Sequence, residues 1–273
     1  MIEASGLRFH VVDEGAGSPV LLLHGFPDTS RLWRAQIAAL TDAGYRVIAP
    51  DLRGRGASDR PEDVRDYGLS AIVGDVIGIL DALGLERAHV VGHDWGAAVA
   101  WLTASLAPDR VDHLVAISVG FPGAMRPDLE ALQKGWYRLL VLFEQAEELL
   151  REDDWYLLRE LLQGGGDAAE YIATLSEPGA LTAGLNWYRA NLTVETLLGG
   201  RELPPVRAPT LGVFGTNDLY LTERAMLASE AHVTGTWRYE RLAGVGHWVP
   251  LEVPGRLDEL LLDFLPPAGP GTR

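Results

Sequence analysis

Residues 88–96 read Ala-His-Val-Val-Gly-His-Asp-Trp-Gly, an apolar run that ends on two glycines flanking Asp94. A short apolar run bounded by glycine reads as a buried strand. The small residues that follow, Ala97, Ala98 and Ala100, suit a helix packed closely on a sheet. Passing from strand to helix within so few residues demands a sharp backbone turn. Gly92 and Gly96 permit it, and the turn exposes the residue between them. The frame is G-x-S-x-G with aspartate at its centre, and that exchange redirects the chemistry. A serine attacks acyl carbons and leaves an ester that water cleaves. A carboxylate attacking an acyl carbon would give an anhydride, but at a saturated carbon it gives an alkyl ester. Asp94 therefore points to displacement of an oxygen or halogen from a saturated carbon, followed by hydrolysis of the covalent ester. The plainer alternative is that Asp94 caps the helix.

Around this unit, short β-type runs alternate with amphipathic stretches, the pattern of a parallel sheet covered by helices. Strands are predicted at Val20–Leu23, Tyr45–Ala49, Ala88–Gly92, Val111–Val119, Thr210–Phe214 and Thr236–Leu242. Helices are predicted near residues 33–43, over Leu69–Leu83 and Gly96–Ala107, and over Pro254–Leu265 with its proline near the first helical position. From about residue 124 to 200 the pattern becomes helical, strongest at Leu139–Leu150 and Trp155–Leu162, which predicts an insertion. The Pro- and Gly-rich tail Pro266–Arg273 is predicted to be loose.

The length of 273 residues accommodates one large α/β domain with a subdomain. A formal charge of −15 argues against nucleic acid or an anionic membrane as partner. With no cysteine, disulfides and thiolate metal sites are excluded. His89 and His93 stand four apart in a strand without a partner carboxylate set, so neither metal nor cofactor is expected. No signal-peptide pattern and no apolar run of membrane-spanning length is present, so a cytoplasmic enzyme is expected.

Three further segments converge on the same chemistry. Asp218 and His247 each follow a predicted strand. His24-Gly25-Phe26-Pro27 follows the first buried strand, and a bend there aims the Phe26 N–H at the point reached by the Trp95 N–H, an oxyanion hole. Phe26–Pro27 is a candidate cis bond, and His24 reads as a buried packing residue. The loop Asp51–Ser58, with Gly54 and Gly56, reads as a tight structural turn.

With these motifs the chain resembles the epoxide hydrolases of the α/β-hydrolase fold, from its first buried strand to its final helix. His24–Pro27 corresponds to that family's H-G-x-P motif and Gly92–Gly96 to its nucleophile motif. The resemblance implies a mostly parallel central sheet flanked by helices, with a helical cap inserted after the sixth strand. Residues 1–122 and 201–273 would form the core and 123–200 the cap. The order Asp94, Asp218, His247 is that of nucleophile, acid and base. His247 would activate water while Asp218 holds its tautomer and stabilises the imidazolium. Some relatives carry the acid after the earlier strand; here Gly120-Phe121-Pro122 offers no carboxylate before Asp128, which favours Asp218.

The family also uses two cap tyrosines to bind and protonate the epoxide oxygen. Asn186-Trp187-Tyr188-Arg189 matches the second tyrosine motif, and Trp136-Tyr137-Arg138 the location of the first, with Tyr156 and Tyr171 as alternatives. The pocket is expected to be lined by Trp95, Phe26, Trp187 and Trp136 and to take a small, apolar epoxide, in a monomer or homodimer. A haloalkane dehalogenase shares the aspartate nucleophile. Trp95 would fit its halide-binding indole, with Trp136 or Trp187 as a second, although no amide stands at Phe26. A non-catalytic ligand-binding protein could reuse the fold, but the complete Asp94–Asp218–His247 set argues against it.

Overall fold

The chain opens with a hairpin of β1 (Ile2–Ala4) and β2 (Leu7–Phe9), joined by Ser5 and Gly6 at φ +51° and +76°. Two positive φ angles give the tight turn whose twist matches the strands it joins. The computed structural model describes residues 1–124, 128–193, 196 and 202–269. Its main sheet is formed by β3 (Val11–Gly15), β4 (Pro19–Leu23), β5 (Arg46–Pro50), β6 (Ala88–His93), β7 (Val111–Ile117), β8 (Thr210–Gly215) and β9 (Trp237–Leu242). The seven strands lie in the order β3-β5-β4-β6-β7-β8-β9, and all neighbours are parallel except β3 and β5.

Burial on both faces explains the unbroken apolar runs. Val20, Leu22, Val91 and Val115 point to one face, with α1 (Arg34–Asp42) and the closing helix Pro254–Phe264. Leu21, Leu23, Val90 and Leu114 point to the other, against α2 (Leu69–Ala82) and α3 (Trp95–Leu106). Successive residues of one strand thus feed two cores, as the two-residue period requires.

The strand order also locates a crevice. From β4 the chain moves outward to β5, then returns to the other side of β4 to form β6. Such a reversal opens a gap at the carboxyl ends of the strands, where open α/β sheets bind ligands. Leu23 pairs with Gly92, so the segments leaving β4 and β6 emerge side by side.

Between β7 and β8 the described residues form helices α4 (Leu129–Lys134), α5 (Tyr137–Leu140), α6 (Ala146–Leu162), α7 (Ala168–Leu175) and α8 (Ala180–Asn191). This stretch follows the fifth strand of the main sheet and the seventh of the chain, rather than a sixth. The expected end of the insertion at residue 200 lies outside the described residues. The predicted segment Leu139–Leu150 is not one helix: α5 ends at Leu140, and α6 begins at Ala146. A kink within α6 puts Asp153, Asp154 and Trp155 at φ +48°, +55° and +63°. The tail is anchored through residue 269, with the Tyr45 hydroxyl donating to the Pro266 carbonyl at 2.6 Å and the Gly269 N–H to Ser18 Oγ at 3.0 Å. Among the described residues no helix is long and apolar enough to cross a membrane.

The junction of β6 and α3 is a point of close backbone approach. A Cβ on Gly96 would lie 2.0 Å from the Leu23 carbonyl oxygen, and one on Gly92 would lie 2.3 Å from that of Gly96. Gly96→Ala is therefore expected to lower the unfolding free energy by about 1–3 kcal/mol, the range for overpacked sites. Urea unfolding monitored by tryptophan fluorescence measures it, and an unchanged midpoint would contradict the close approach.

Candidate active site

Asp94 stands at the head of α3 with φ +53° and ψ −124°, a conformation costly for a residue with a side chain. It occupies the N-cap position but makes no side-chain capping bond, so helix capping does not account for it. Instead its Oδ1 accepts the Phe26 N–H at 2.9 Å. The Trp95 N–H acts on the same carboxylate in the same sense. Gly25 makes room for this approach, since a Cβ there would fall 2.4 Å from Asp94 Oδ1. The Phe26–Pro27 bond is cis. His24 anchors the loop from beneath: its Nδ1 lies 2.9 Å from the Gly25 carbonyl, and its Nε2 accepts the Leu52 N–H at 3.0 Å. Burial holds this imidazole neutral, with its pKa lowered to about 4.

His247 and Asp218 arrive from the loops after β9 and β8. Asp218 Oδ2 lies 2.8 Å from His247 Nδ1, and Oδ1 accepts the N–H groups of Tyr220 at 2.8 Å and Leu221 at 2.9 Å. Burial opposes the charge on Asp218, but His247 and these donors hold its pKa below the ordinary value. Burial likewise opposes charge on His247, and Asp218, then Asp94 and Asp28, raise its pKa to about 9. Its Nε2 faces Asp94 Oδ2 at 3.7 Å, too far for a direct hydrogen bond. Asp94 itself is pushed above the usual carboxylate range by burial, against the pull of His247 and the Phe26 and Trp95 N–H groups.

Over this triad lies a cavity of about 540 Å³, open mouth included. Asp94, His247, Phe26, Tyr137 and Tyr188 line it together, so five of the residues singled out in the sequence meet at one space. Tyr188 is buried and met edge-on by Trp95 at 5.1 Å, Phe26 at 5.5 Å and Tyr137 at 6.2 Å between ring centroids. Burial, reinforced for each by the charge of Asp94, raises the pKa of both phenols and keeps them protonated. Of the alternative tyrosines, Tyr156 is exposed, and Tyr171 donates to Asp28 Oδ1 at 2.7 Å.

The tryptophans fall elsewhere than expected. Trp136 is 53% exposed on the outer surface, because α5 turns Tyr137 rather than its neighbour inward. Trp187 and Trp95 line a smaller space beneath the oxyanion loop, with Arg55 and His24, and the Trp187 Nε1–H is taken by the Arg53 carbonyl at 3.1 Å. Of the four expected lining residues, Phe26 alone borders the main cavity. Its other walls went unnoticed in the sequence: Leu150, Leu158, Leu161 and Leu162 of α6, with Tyr220 and Trp248. Two of these were signalled by position, since Tyr220 lies two residues after Asp218 and Trp248 follows His247. Asp28 was also missed. This buried carboxylate accepts the Trp248 indole N–H at 3.2 Å, and burial lifts its pKa to about 7 despite that bond and the Tyr171 hydroxyl.

Comparison with known proteins gives the same architecture. The model of a family described as the alpha/beta hydrolase fold matches residues 18–254. Epoxide hydrolase A of Mycobacterium tuberculosis is 35% identical, the alignment covering 97% of this chain and 96% of that protein. Epoxide hydrolase 4 of Homo sapiens is 31% identical over 97% of this chain and 77% of its own length. Among solved structures, a mutant epoxide hydrolase from Bacillus megaterium complexed with its naphthyloxy-propane-1,2-diol product superposes with a TM-score of 0.88. The identity is 26%, over 96% of this chain and 98% of that one.

The raised pKa of His247 has a consequence for stability. A group whose folded pKa of about 9 exceeds its ordinary value of 6.5 stabilises the fold fully below pH 6.5 and loses that contribution as pH rises through 9. Urea unfolding of the parent chain should therefore weaken over this window relative to His247→Gln, whose side chain does not titrate. Parallel pH curves for the two proteins would contradict the ion cluster.

Proposed function

The chain belongs to the epoxide hydrolases of the α/β hydrolase fold, and we propose that it converts an epoxide to a vicinal diol through an ester on Asp94. The reading rests on one observation: two protonated phenols, Tyr188 buried and Tyr137 half-buried, share a single apolar cavity with a desolvated carboxylate. Attack by Asp94 Oδ2 on a ring carbon forms a C–O bond and breaks the ring C–O bond. The leaving oxygen becomes an alkoxide, and a phenol of Tyr188 or Tyr137 donates to it, the phenol proton being restored from solvent. An uncharged substrate adds no further buried charge to this apolar cavity.

Ester formation then changes His247. It removes the negative charge of Asp94, one of the groups that hold the imidazole protonated, so His247 releases its proton more readily and becomes competent as a base. Neutral His247 takes a proton from water, and the hydroxide adds to the Asp94 carbonyl carbon. The Phe26 and Trp95 N–H groups receive the developing oxyanion, each such donor being worth about 2.7–4 kcal/mol in comparable sites. Collapse expels Oδ2 as the second diol oxygen, which takes a proton from His247, and leaves the water oxygen in the Asp94 carboxyl group, whose own proton returns to solvent and balances the one taken up by the phenol.

Haloalkane cleavage needs indole N–H groups turned toward a leaving halide. The Trp187 N–H is already engaged by Arg53, and Trp136 lies outside the cavity, which weighs against that chemistry. The apolar walls contributed by α6 favour aryl or alkyl epoxides. We further propose that α4–α8 serve as the cap over the core, bringing both phenols to the nucleophile.

Three measurements test the reading. Single turnover in ¹⁸O-water should put label in Asp94 while the first diol remains unlabelled; label in the diol alone would sink the covalent route. His247→Gln should accumulate protein heavier by the mass of the epoxide. Tyr188→Phe should slow ester formation by about a hundredfold or more, the usual yield of general acid catalysis.

A further inference from the structure

His93 is the most deeply buried ionisable residue beside the triad, and the reaction above does not use it. It lies fully inside, next to the nucleophile in sequence, with its ring centroid 4.7 Å from that of His247. Its Nε2 is 2.9 Å from the His247 carbonyl oxygen, while its Nδ1 is buried without a hydrogen-bond partner. A carbonyl can only accept, so Nε2 carries the proton and Nδ1 is bare. Burial, with His247 adding to it, lowers the His93 pKa to about 3 and keeps the ring neutral.

The same carbonyl accepts a second side-chain donor. Ser118 Oγ lies 3.2 Å away, on a residue held at φ +70° at the end of β7. On the opposite side of the loop, Glu252 accepts the Gly246 N–H at 2.7 Å and the Trp248 N–H at 3.1 Å. The main chain on either side of His247 is therefore gripped, although the loop carries Gly244 and Gly246 and has little stiffness of its own. The imidazole is left facing Asp94 at 3.7 Å, a separation that depends on where this backbone is pinned.

We propose that His93 is a positioning residue for ester hydrolysis: its Nε2–H, with the Ser118 hydroxyl, fixes the His247 main chain so that the imidazole meets the attacking water rather than drifting from it. The inference rests on the covalent reading given above. It separates the two half-reactions, because attack by Asp94 needs no proton transfer with His247 and only its charge nearby, whereas hydrolysis needs the base within hydrogen-bond reach of water.

Rapid-quench single turnovers with styrene oxide, read by intact protein mass, give ester formation and ester hydrolysis separately. His93→Leu fills the space without a donor and should slow hydrolysis about tenfold, the value of one lost buried hydrogen bond, with ester formation changed by no more than about twofold. His93→Gln restores a donor and should recover most of the lost rate. Equal loss in both steps, no loss in either, or no recovery with glutamine overturns the proposal. Ser118→Ala, a smaller change, should show the same selective slowing, and it decides the matter if His93→Leu does not fold. Absence of any ester in the parent enzyme would overturn the covalent reading instead.

Discussion

The backbone at Asp94 takes an unfavourable conformation where the start of α3 passes close against the carbonyls of Leu23 and His24. Glycine at position 96 lets the helix come that close, glycine at 25 leaves room for the Asp94 side chain, and Asp94 Oδ1 lies 2.9 Å from the Phe26 N–H. The pairing of Leu23 with Gly92 underlies both. One register relation between two central strands thus relates the turn, Asp94 and the two N–H groups beside it. The strain is stored where buried apolar strands on both faces over-determine the backbone.

Charge balance forms a second layer built on that geometry. Asp94, Asp218 and Asp28 are all buried around one imidazole, and desolvation acts against every carboxylate. Asp218 resolves the conflict by accepting two backbone N–H groups as well as facing His247, which leaves it the most firmly ionised of the three. Asp94 has weaker support and no direct bond to His247, which suits the role proposed for it, lending its electrons to carbon. When it does so, the imidazole loses part of what held its proton. On the proposed route the first step therefore prepares the base required by the second.

The core of this arrangement was legible in the sequence because it is local. Gly92–Gly96 spans one turn, His24–Pro27 spans another, and each needs residue types that leave a signature. Asp218 and His247 could be picked out because each follows a predicted strand and their order along the chain matches that of acid and base in the resembled family. The cavity wall was not legible in the same way. Leu150, Leu158 and Leu161 face it across a kink that turns α6 at Asp153–Trp155, and no spacing in the sequence announces three consecutive positive φ angles there. Trp136 was misplaced for a related reason. One residue along a helix is a rotation of about 100°, so a short α5 that presents Tyr137 necessarily turns its neighbour away.

The phenols show how the two layers meet. Tyr188 is held by edge-on rings of Phe26 and Trp95, the two residues whose N–H groups support Asp94. The far end of α8 is tied to the core by Asn191, which accepts the Leu69 N–H and donates to the Tyr67 carbonyl. Its outer side is tied to α6 by a bidentate pair between Arg189 and Glu147 at 2.7 and 2.8 Å. A displacement of the oxyanion loop would therefore shift Tyr188 with it. The residues proposed to receive charge on Asp94 and the residue proposed to donate to the leaving oxygen form one packed unit. Their relative geometry is set by aromatic packing around the nucleophile, and the helices beyond it need only keep that unit dry.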